Sequence, residues 1–154
     1  MTLAAIGLGS NEGDAAAHIR RGFTRLAELG TLVARSPLYH SPPWGVTEQP
    51  PFVNAAALLE TGLTPRALLE ALQRIEREAG RVPTYRWGPR VLDLDILTYG
   101  DQRLDEPGLT IPHARLSERA FALVPLAEID PRFSAQRDAL PPGERAAVVE
   151  LRPQ

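Results

Sequence analysis

The order in which apolar segments follow one another constrains the fold of this chain more than any other sequence feature. Short apolar runs predict strands at residues 3–8, 31–39, 52–60 and 91–99, and two segments with apolar residues at helical spacing lie between them. The resulting order is strand, helix, strand, strand, helix, strand. It predicts an α+β fold, a ferredoxin-like split βαβ sheet with the helices packed on one face.

Capping residues delimit both predicted helices. Asp14 is a candidate N-cap of the first helix, and Gly30 is a candidate C-cap glycine. Thr64 followed by Pro65 predicts the start of the second helix, and Gly80 predicts its end. Both helices are therefore bounded by residues that have a physical reason to be there.

The last third of the chain is less regular in sequence. Residues 109–111 predict a short fifth strand, and residues 117–129 predict a third helix that is interrupted at Pro125. From about residue 131 the chain is rich in Pro and Arg, and only residues 146–151 are apolar. We expect a mostly irregular tail there.

Size and composition exclude several classes of protein. With 154 residues, the chain has the length of about one domain, and we interpret 1–154 as a single domain that includes the tail. The absence of cysteine excludes disulfide scaffolds, thiolate metal sites and cysteine nucleophiles. No apolar run approaches the roughly 20 residues that span a bilayer, and the net charge of −2 argues against a protein that coats nucleic acid. We expect a cytoplasmic monomer that binds neither membranes nor nucleic acids.

The last long predicted strand carries the pattern that points most directly to chemistry. Asp93 and Asp95 lie two apart among apolar residues, so both carboxylates point to one face of the strand, about 7 Å apart at the backbone. Two carboxylates beside bound phosphates suit Mg²⁺, which takes few protein ligands and keeps several waters. The same alternation is also typical of a strand with one solvated face.

An arginine-rich loop, residues 81–90, leads into this strand. All 17 basic residues of the chain are arginines, and Arg81, Arg86 and Arg90 offer paired donors for phosphate oxygens. Trp87 lies between two of them and is expected to pack or to contact a ligand. Alternatively, the arginines pair with the two aspartates as surface ion pairs, which contribute little stability.

The segment Arg86-Trp87-Gly88-Pro89-Arg90-Val91-Leu92-Asp93-Leu94-Asp95-Ile96-Leu97 resembles the signature of the 6-hydroxymethyl-7,8-dihydropterin pyrophosphokinase family of folate biosynthesis. Further motifs follow in family order: Gly9-Ser10-Asn11, Ser41-Pro42-Pro43-Trp44-Gly45, Phe52-Val53-Asn54-Ala55, Gln73-Arg74-Ile75-Glu76, and Thr110-Ile111-Pro112-His113 with Arg119 and Phe121. The resemblance extends to about residue 130. It implies a ferredoxin-like α+β fold, in agreement with the order of the apolar segments.

The resemblance also implies a reaction. The hydroxymethyl oxygen of the pterin would attack the β-phosphorus of ATP, with AMP leaving, so the partners would be two small molecules. Asp93 and Asp95 would hold two Mg²⁺ ions that bridge the ATP phosphates and the hydroxymethyl oxygen. Together with Arg81 and Arg90, these aspartates are the implied catalytic residues.

Two binding sites are implied in the same way. The ATP site would be lined by Gln73, Glu76, Thr110 and the backbone of Ile96 around adenosine, and by Arg81, Arg90, His113 and Arg119 around the triphosphate. The pterin site would place the ring between Phe52 and Phe121, with Asn54, Ser41, Pro42 and Trp44 at its polar edges and Asp93 beside it. Core packing is the alternative role for either phenylalanine.

Three alternatives share the predicted topology. An RNA-binding module stacks bases on aromatic residues of its central strands, whereas the strand here carries aspartates. A regulatory small-molecule domain would not need the clustered Asp, Arg and Trp residues. Metal-dependent formation of AMP distinguishes that domain from an enzyme, and an inactive pyrophosphokinase is the third alternative.

Overall fold

The computed structural model describes residues 1–41, 51–80 and 91–151. Within these residues the strands are β1 (Thr2–Ser10), β2 (Thr31–Arg35), β3 (Tyr39–Ser41), β4 (Phe52–Thr61), β5 (Asp93–Tyr99), β6 (Leu104–Glu106), β7 (Leu109–Ile111) and β8 (Val149–Glu150). The α-helices are α1 (Ala15–Leu26), α2 (Pro65–Glu78), α3 (Ala120–Ile129), α4 (Ser134–Asp138) and α5 (Pro142–Ala146). The described part of the chain contains no helix that is both long and apolar enough to cross a membrane. The predicted α+β class is confirmed.

The main sheet is antiparallel and is built around β1 and β4. Its strand order is β5-β1-β4-β3-β8, and β2 also pairs with β4. β1 and β4 are paired from Thr2 opposite Thr61 to Ser10 opposite Val53. β6 and β7 form a separate hairpin. The predicted strand order therefore produces a sheet in which the aspartate-bearing β5 is the terminal strand, beside β1.

Helices cover both faces of this sheet. Ile6 and Leu8 of β1 belong to a core that includes buried residues of α1 and α2, and we call this side the α1–α2 face. Ala5 points the other way, into a core that includes Leu123 and Leu126 of α3, and we call that side the α3 face. The expectation that the two helices of the split βαβ order share one face is confirmed for α1 and α2, and α3, for which no face was predicted, lies on the other. Because α3 is apolar around most of its circumference, it is buried against the second face.

The predicted second strand, residues 31–39, is two strands in the structure. β2 ends at Arg35 and β3 begins at Tyr39. Between them the backbone N–H of Ser36 donates to Ala56 O at 2.8 Å, and its hydroxyl accepts from Ala56 N at 2.9 Å. Pro37 follows, and proline lacks the N–H that a continuous ladder would need. The chain therefore leaves β4 and returns to it as a separate strand.

The tail differs from the expected irregular segment. It forms α4, α5 and β8, and β8 pairs with β3. Asp130 caps the turn before α4 by accepting from Arg132 N at 3.1 Å. Pro125 does not interrupt α3, which is helical from Ala120 to Ile129, although the proline removes one intrahelical hydrogen bond. Helices of five residues leave little periodicity in the sequence, and their contacts with α3 supply the stabilisation that local propensity does not.

The helix boundaries follow the predicted caps with one exception. Asp14 caps α1 and Thr64 caps α2, each accepting a backbone N–H at 3.2 Å. Gly80 has φ +97° directly after α2, as expected of a glycine that ends a helix. Gly30 is not the C-cap of α1, which ends at Leu26 with Ala27 as the capping residue. Instead, Gly30 passes so close to β4 that a Cβ would lie 2.1 Å from Glu60 O.

Candidate active site

The two aspartates of β5 lie on the α3 face of the sheet. Asp93 is partly buried and Asp95 is exposed, whereas Leu94 and Ile96 are buried on the α1–α2 face. Asp93 lies opposite Gly9 of β1, and Asp95 lies opposite Gly7. The alternation predicted from the sequence therefore holds, and both carboxylates rise beside residues that have no side chain.

Gly9 leaves the α3 face of β1 without a side chain beside Asp93, whereas the Leu97 side chain lies over Gly7. On the other side of Gly9 lies Asn54 of β4, so the sequence across the sheet is Asp93, Gly9, Asn54. A Cβ at Gly9 would lie 3.1 Å from Asn54 Nδ2 and 3.8 Å from Phe52 Cδ1. Two strand spacings, about 10 Å, separate the backbones of β5 and β4. The result is a shallow floor with acidic groups on one side and an amide and an aromatic ring on the other.

A hydrogen bond fixes the amide beside this floor. Ser41 of β3 donates its hydroxyl proton to Asn54 Oδ1, and both side chains are buried, with 4% of each residue exposed. Since the amide oxygen accepts from Ser41, the Nδ2 group is the end of Asn54 that lies above Gly9. Asn54 therefore presents hydrogen-bond donors to anything that occupies the floor.

The start of α3 brings a guanidinium group and a second aromatic ring to the same face. Arg119 has extended backbone dihedrals that separate the preceding 3₁₀ turn from α3, and its Cζ lies 5.6 Å from the centroid of the Phe121 ring. Burial lowers the pKa of the Arg119 guanidinium, and the nearby carboxylates of Asp95 and Asp93 act in the opposite sense. Its Nε is buried and has no acceptor among the described residues. An anion would satisfy this donor.

His113 is held at the edge of the sheet next to Arg119. Its backbone N–H donates to Leu97 O at 2.9 Å, at the point where the pairing of β5 with β1 shifts register. The N–H of Arg115 approaches His113 Nδ1 at 3.4 Å, an arrangement that favours the tautomer with its proton on Nε2. Burial lowers the pKa of His113, and the positive charge of Arg119 adds to this effect. The imidazole is therefore a neutral donor near neutral pH.

Glu76 joins α2 to the aspartate strand. It is buried, and its Oε2 accepts the backbone N–H of Leu94 at 2.8 Å. Leu94 lies between the two aspartates, so this bond holds β5 at the point from which both carboxylates project. Gln73 lies one turn earlier on α2 and is exposed. Thr110 of β7 is exposed as well, whereas Ile96 is buried in the core.

The structure places most of the sequence-predicted site residues, and six lie outside the described part of the chain. Asp93, Asp95 and Arg119 come together on the α3 face, and Ser41 contacts Asn54 there. Phe52 and Phe121 belong to the same face, the first on β4 and the second at the start of the helix that covers it. The residues outside the described ranges are Pro42, Trp44, Arg81, Arg86, Trp87 and Arg90.

Two site features were missed in the sequence. The apolar run 3–8 predicts only a strand at Gly7, although glycine inside a strand marks a place where a ligand or another backbone approaches closely. Its alternation with Gly9 was the signal, because residues two apart share a face. The carbonyl of Leu97 that holds His113 gave no signal, because a register shift depends on the neighbouring strand.

β5 offers two carboxylates as ligands for a metal ion, those of Asp93 and Asp95. Within residues 1–41, 51–80 and 91–151, no group of three or more acidic or imidazole side chains is close enough to hold a metal ion alone. Two carboxylates without further protein ligands suit Mg²⁺, which completes its shell with water and substrate phosphates. The residues therefore fit a metal that arrives with a phosphorylated substrate better than one held permanently.

Comparison with known proteins identifies relatives over most of the chain. The family model described as 7,8-dihydro-6-hydroxymethylpterin-pyrophosphokinase (HPPK) matches residues 5–131. A 2-amino-4-hydroxy-6-hydroxymethyldihydropteridine pyrophosphokinase of Methylorubrum extorquens is 50% identical over 133 residues, which are 85% of this chain and 84% of that protein. The protein of the same name from Pseudomonas aeruginosa is 52% identical over 129 residues, 82% of this chain and 79% of that one.

Solved structures share the fold. Two crystal structures of Plasmodium falciparum HPPK-DHPS match 89% and 90% of this chain with TM-scores of 0.71 and 0.67 and sequence identities of 14% and 15%. The chain spans 45% and 43% of those longer chains. At these identities the likeness concerns the fold alone.

Proposed function

We propose how the residues of this chain, which belongs to the 7,8-dihydro-6-hydroxymethylpterin-pyrophosphokinase family, perform the reaction of that family. The reaction transfers pyrophosphate from ATP to the hydroxymethyl group of 6-hydroxymethyl-7,8-dihydropterin. The observation that carries the proposal is the α3 face itself. Two carboxylates, the side-chain-free Gly9, an oriented amide and a half-buried guanidinium lie on one side of the sheet. Each group matches one part of a nucleotide–metal–pterin complex.

Asp93 and Asp95 would hold two Mg²⁺ ions. Bound there, the ions would neutralise phosphate charge and polarise the oxygens of the reacting groups. The proposal is supported by the common face of the two carboxylates and by Gly9 opposite Asp93, which adds no side chain there. Asp93 also borders the floor that would receive the pterin.

Arg119 and His113 would bind the triphosphate, together with Arg81 and Arg90. The buried Nε of Arg119 has no acceptor in the described structure, and a phosphate oxygen supplies one. His113 would donate from Nε2, since the N–H of Arg115 already lies at Nδ1. A neutral imidazole beside an arginine adds a hydrogen bond without adding charge repulsion when the nucleotide is absent.

The adenosine would lie at the α2 side of β5. Gln73 and Glu76 of α2, the backbone of Ile96 and Thr110 of β7 would line it. Because one carboxylate oxygen of Glu76 accepts from Leu94 N, the role of Glu76 is partly to position β5. This site then connects directly to the strand that carries the metal ligands.

The pterin would lie over the Gly9 floor, with its ring between Phe52 and Phe121. The Nδ2 group of Asn54 would donate to an acceptor on the pterin edge, and Ser41 keeps the amide in that orientation. The backbone around Ser41, Pro42 and Trp44 would satisfy the remaining edge. Stacking between two aromatic faces does not distinguish one flat ring from another, so selection of the pterin would depend on these edge contacts.

The contribution of the protein to the chemistry is position and charge. The hydroxymethyl oxygen must approach the β-phosphorus in line with the departing AMP, and binding both substrates on one rigid sheet achieves this alignment. Arg119 and the other arginines stabilise the charge that develops on the phosphate oxygens. No covalent intermediate with a protein side chain is required.

We further propose that residues 1–154 form one pyrophosphokinase domain that acts as a monomer in the cytoplasm on small molecules and binds neither nucleic acid nor membranes. The main sheet, which joins strands from both ends of the described chain, and the net charge of −2 support this proposal. Sedimentation at micromolar concentration would test the oligomeric state.

AMP release tests the proposed function. The native chain is incubated with ATP and Mg²⁺, with and without 6-hydroxymethyl-7,8-dihydropterin, and compared with Asp95→Ala. The matched control is Asp101→Ala, which removes an exposed carboxylate just beyond β5. We expect pterin-dependent AMP from the native chain and the control, and a loss of at least about 100-fold in Asp95→Ala. Absence of pterin-dependent AMP from folded native protein would contradict the proposal and support an inactive member of the family.

A further inference from the structure

Arg66 occupies a position where a helix disfavours a cation. Thr64 is the N-cap of α2 and Pro65 is its first residue, so Arg66 is the second. The N-terminal turn of a helix carries partial positive charge and prefers acidic side chains, yet the first turn of α2 contains none. A compensating interaction must therefore come from outside the helix.

Two acceptors outside the helix supply that interaction. Nη2 of Arg66 donates to Glu106 Oε1 and to Pro107 O, both at 3.1 Å. Glu106 is the last residue of β6, and Pro107 begins the turn to β7. The arginine thus ties the start of α2 to the tip of the β6–β7 hairpin, which lies 40 residues further along the chain.

The hairpin depends on such external contacts. Each of its strands has three residues, and an isolated two-stranded hairpin is marginal even when longer. Gly108 has φ +75° and follows Pro107, a sequence that favours a tight turn. Leu109 and Ile111 are buried in the core that includes Leu68 of α2. Apolar contact therefore holds the inner side of the hairpin, and Arg66 holds its tip.

Thr110 lies between these two anchors. Its neighbours Leu109 and Ile111 point into the core, so Thr110 points away from it and is exposed. The proposed adenosine contacts come from α2 through Gln73 and Glu76 and from β7 through Thr110. The relative position of the two elements therefore decides the geometry of the nucleotide site.

We propose that Arg66 is a positioning residue for the nucleotide: by holding the hairpin tip against α2, it sets the position of Thr110 relative to Gln73 and Glu76. This inference rests on the proposed function, because it assumes that adenosine binds between α2 and β7. Arg66 itself does not contact the substrate. It acts through Glu106 and Pro107.

Steady-state kinetics of Arg66→Ala, Arg66→Lys and the control Arg20→Ala test the inference. Arg20 is an exposed arginine of α1, far along the chain from the hairpin. We expect KM for ATP to rise about two- to fivefold in Arg66→Ala, the effect of losing one exposed ion pair, with partial recovery in Arg66→Lys. The kcat, the KM for the pterin and all values of Arg20→Ala should stay within about twofold of the native enzyme.

Hydrogen exchange of the ligand-free protein separates this inference from the proposed function. Amides of residues 104–111 should exchange faster in Arg66→Ala than in the native chain or Arg20→Ala, whether or not the protein forms AMP. An unchanged exchange rate of these amides in Arg66→Ala overturns the proposal that Arg66 holds the hairpin tip against α2. Faster exchange with an unchanged KM for ATP overturns the positioning role, and loss of AMP formation in the native chain overturns the proposed function instead.

Discussion

The buried carboxylate of Glu76 accepts the backbone N–H of Leu94 at 2.8 Å, midway between the two aspartates of β5. Among the described strands β5 is the terminal one, so an N–H that points away from β1 has none of these strands to receive it. Glu76 takes the place of that strand. The same residue thereby connects the proposed adenosine site on α2 with the proposed metal ligands.

Removal of this acceptor should lower stability. In Glu76→Ala the N–H of Leu94 is left buried without its partner, and we expect the free energy of unfolding to fall by about 1–3 kcal/mol. Glu76→Gln keeps an acceptor oxygen and should lose about 1 kcal/mol or less. Urea denaturation measures both, with Glu70→Ala as the control because Glu70 is an exposed residue of the same helix. Equal stability of Glu76→Ala and Glu70→Ala would contradict the positioning role.

The floor beside the carboxylates should not tolerate a methyl group at Gly9. The added Cβ would lie 3.1 Å from Asn54 Nδ2 and would project into the proposed pterin site. In Gly9→Ala we expect KM for the pterin to rise about tenfold or more, the effect of one extra carbon in a fitted pocket. KM for ATP should change little.

Gly7→Ala is the matched control for this variant. At Gly7 the new Cβ would meet the Leu97 side chain at 3.3 Å, and a flexible leucine can move by a few tenths of an ångström. We expect KM for the pterin to stay within about threefold of the native value, because Leu97 rather than the pterin floor absorbs the overpacking, which costs about 1–3 kcal/mol of stability. If Gly9→Ala and Gly7→Ala raise the KM for the pterin equally, the result would contradict the proposal that the pterin lies over Gly9 in particular.

The hydroxyl of Ser41 should matter for pterin binding through Asn54. Ser41→Ala leaves the buried Asn54 Oδ1 without its donor, so the amide is free to rotate. We expect KM for the pterin to rise about 5- to 20-fold, the effect of one unsatisfied buried polar group, and Ser41→Thr to restore it. Isothermal calorimetry with the pterin and a non-hydrolysable ATP analogue measures the corresponding rise in the dissociation constant of the pterin. A native affinity in Ser41→Ala would show that the amide needs no such support.

The parts of the fold that the sequence predicted correctly are those determined by local pattern. The strand predicted at 52–60 and the helix that begins after Thr64 carry buried residues at a regular period, and their boundaries carry caps. The alternation around Asp93 and Asp95 was sufficient to place both carboxylates on one face. In each of these elements the local signal and the tertiary environment favour the same structure.

The parts that could not be predicted depend on neighbours that are distant in sequence. The break at Pro37 leaves Ser36 hydrogen-bonded to Ala56, 20 residues further along the chain. The position of α3 on the second face follows from the space left by α1 and α2. The bond from Glu76 to Leu94 needs both the rotation of α2 about its axis and the edge position of β5. None of these relations leaves a pattern within one segment.

The stability of the protein should depend on pH through His113. Burial and Arg119 lower the pKa of His113 in the folded state below its ordinary value of 6.5. Well above pH 6.5 the residue is neutral in both states and contributes no pH dependence. As the pH falls below 6.5, the unfolded chain binds a proton that the folded chain does not, so the free energy of unfolding falls until the folded-state pKa is reached. His113→Asn should remove this component, which urea denaturation at pH 7.5 and pH 5.5 would measure.

Nucleotide binding should reverse this effect if His113 contacts the triphosphate. A phosphate next to the imidazole favours its charged form, so binding of ATP and Mg²⁺ near pH 6 should be accompanied by uptake of a proton. Calorimetry in buffers of different ionisation enthalpy measures this uptake, and His113→Asn should show less of it than the native chain. An uptake that is equal in the two proteins would place His113 away from the phosphates. The depressed pKa would then be only a consequence of its burial beside Arg119 and Leu97.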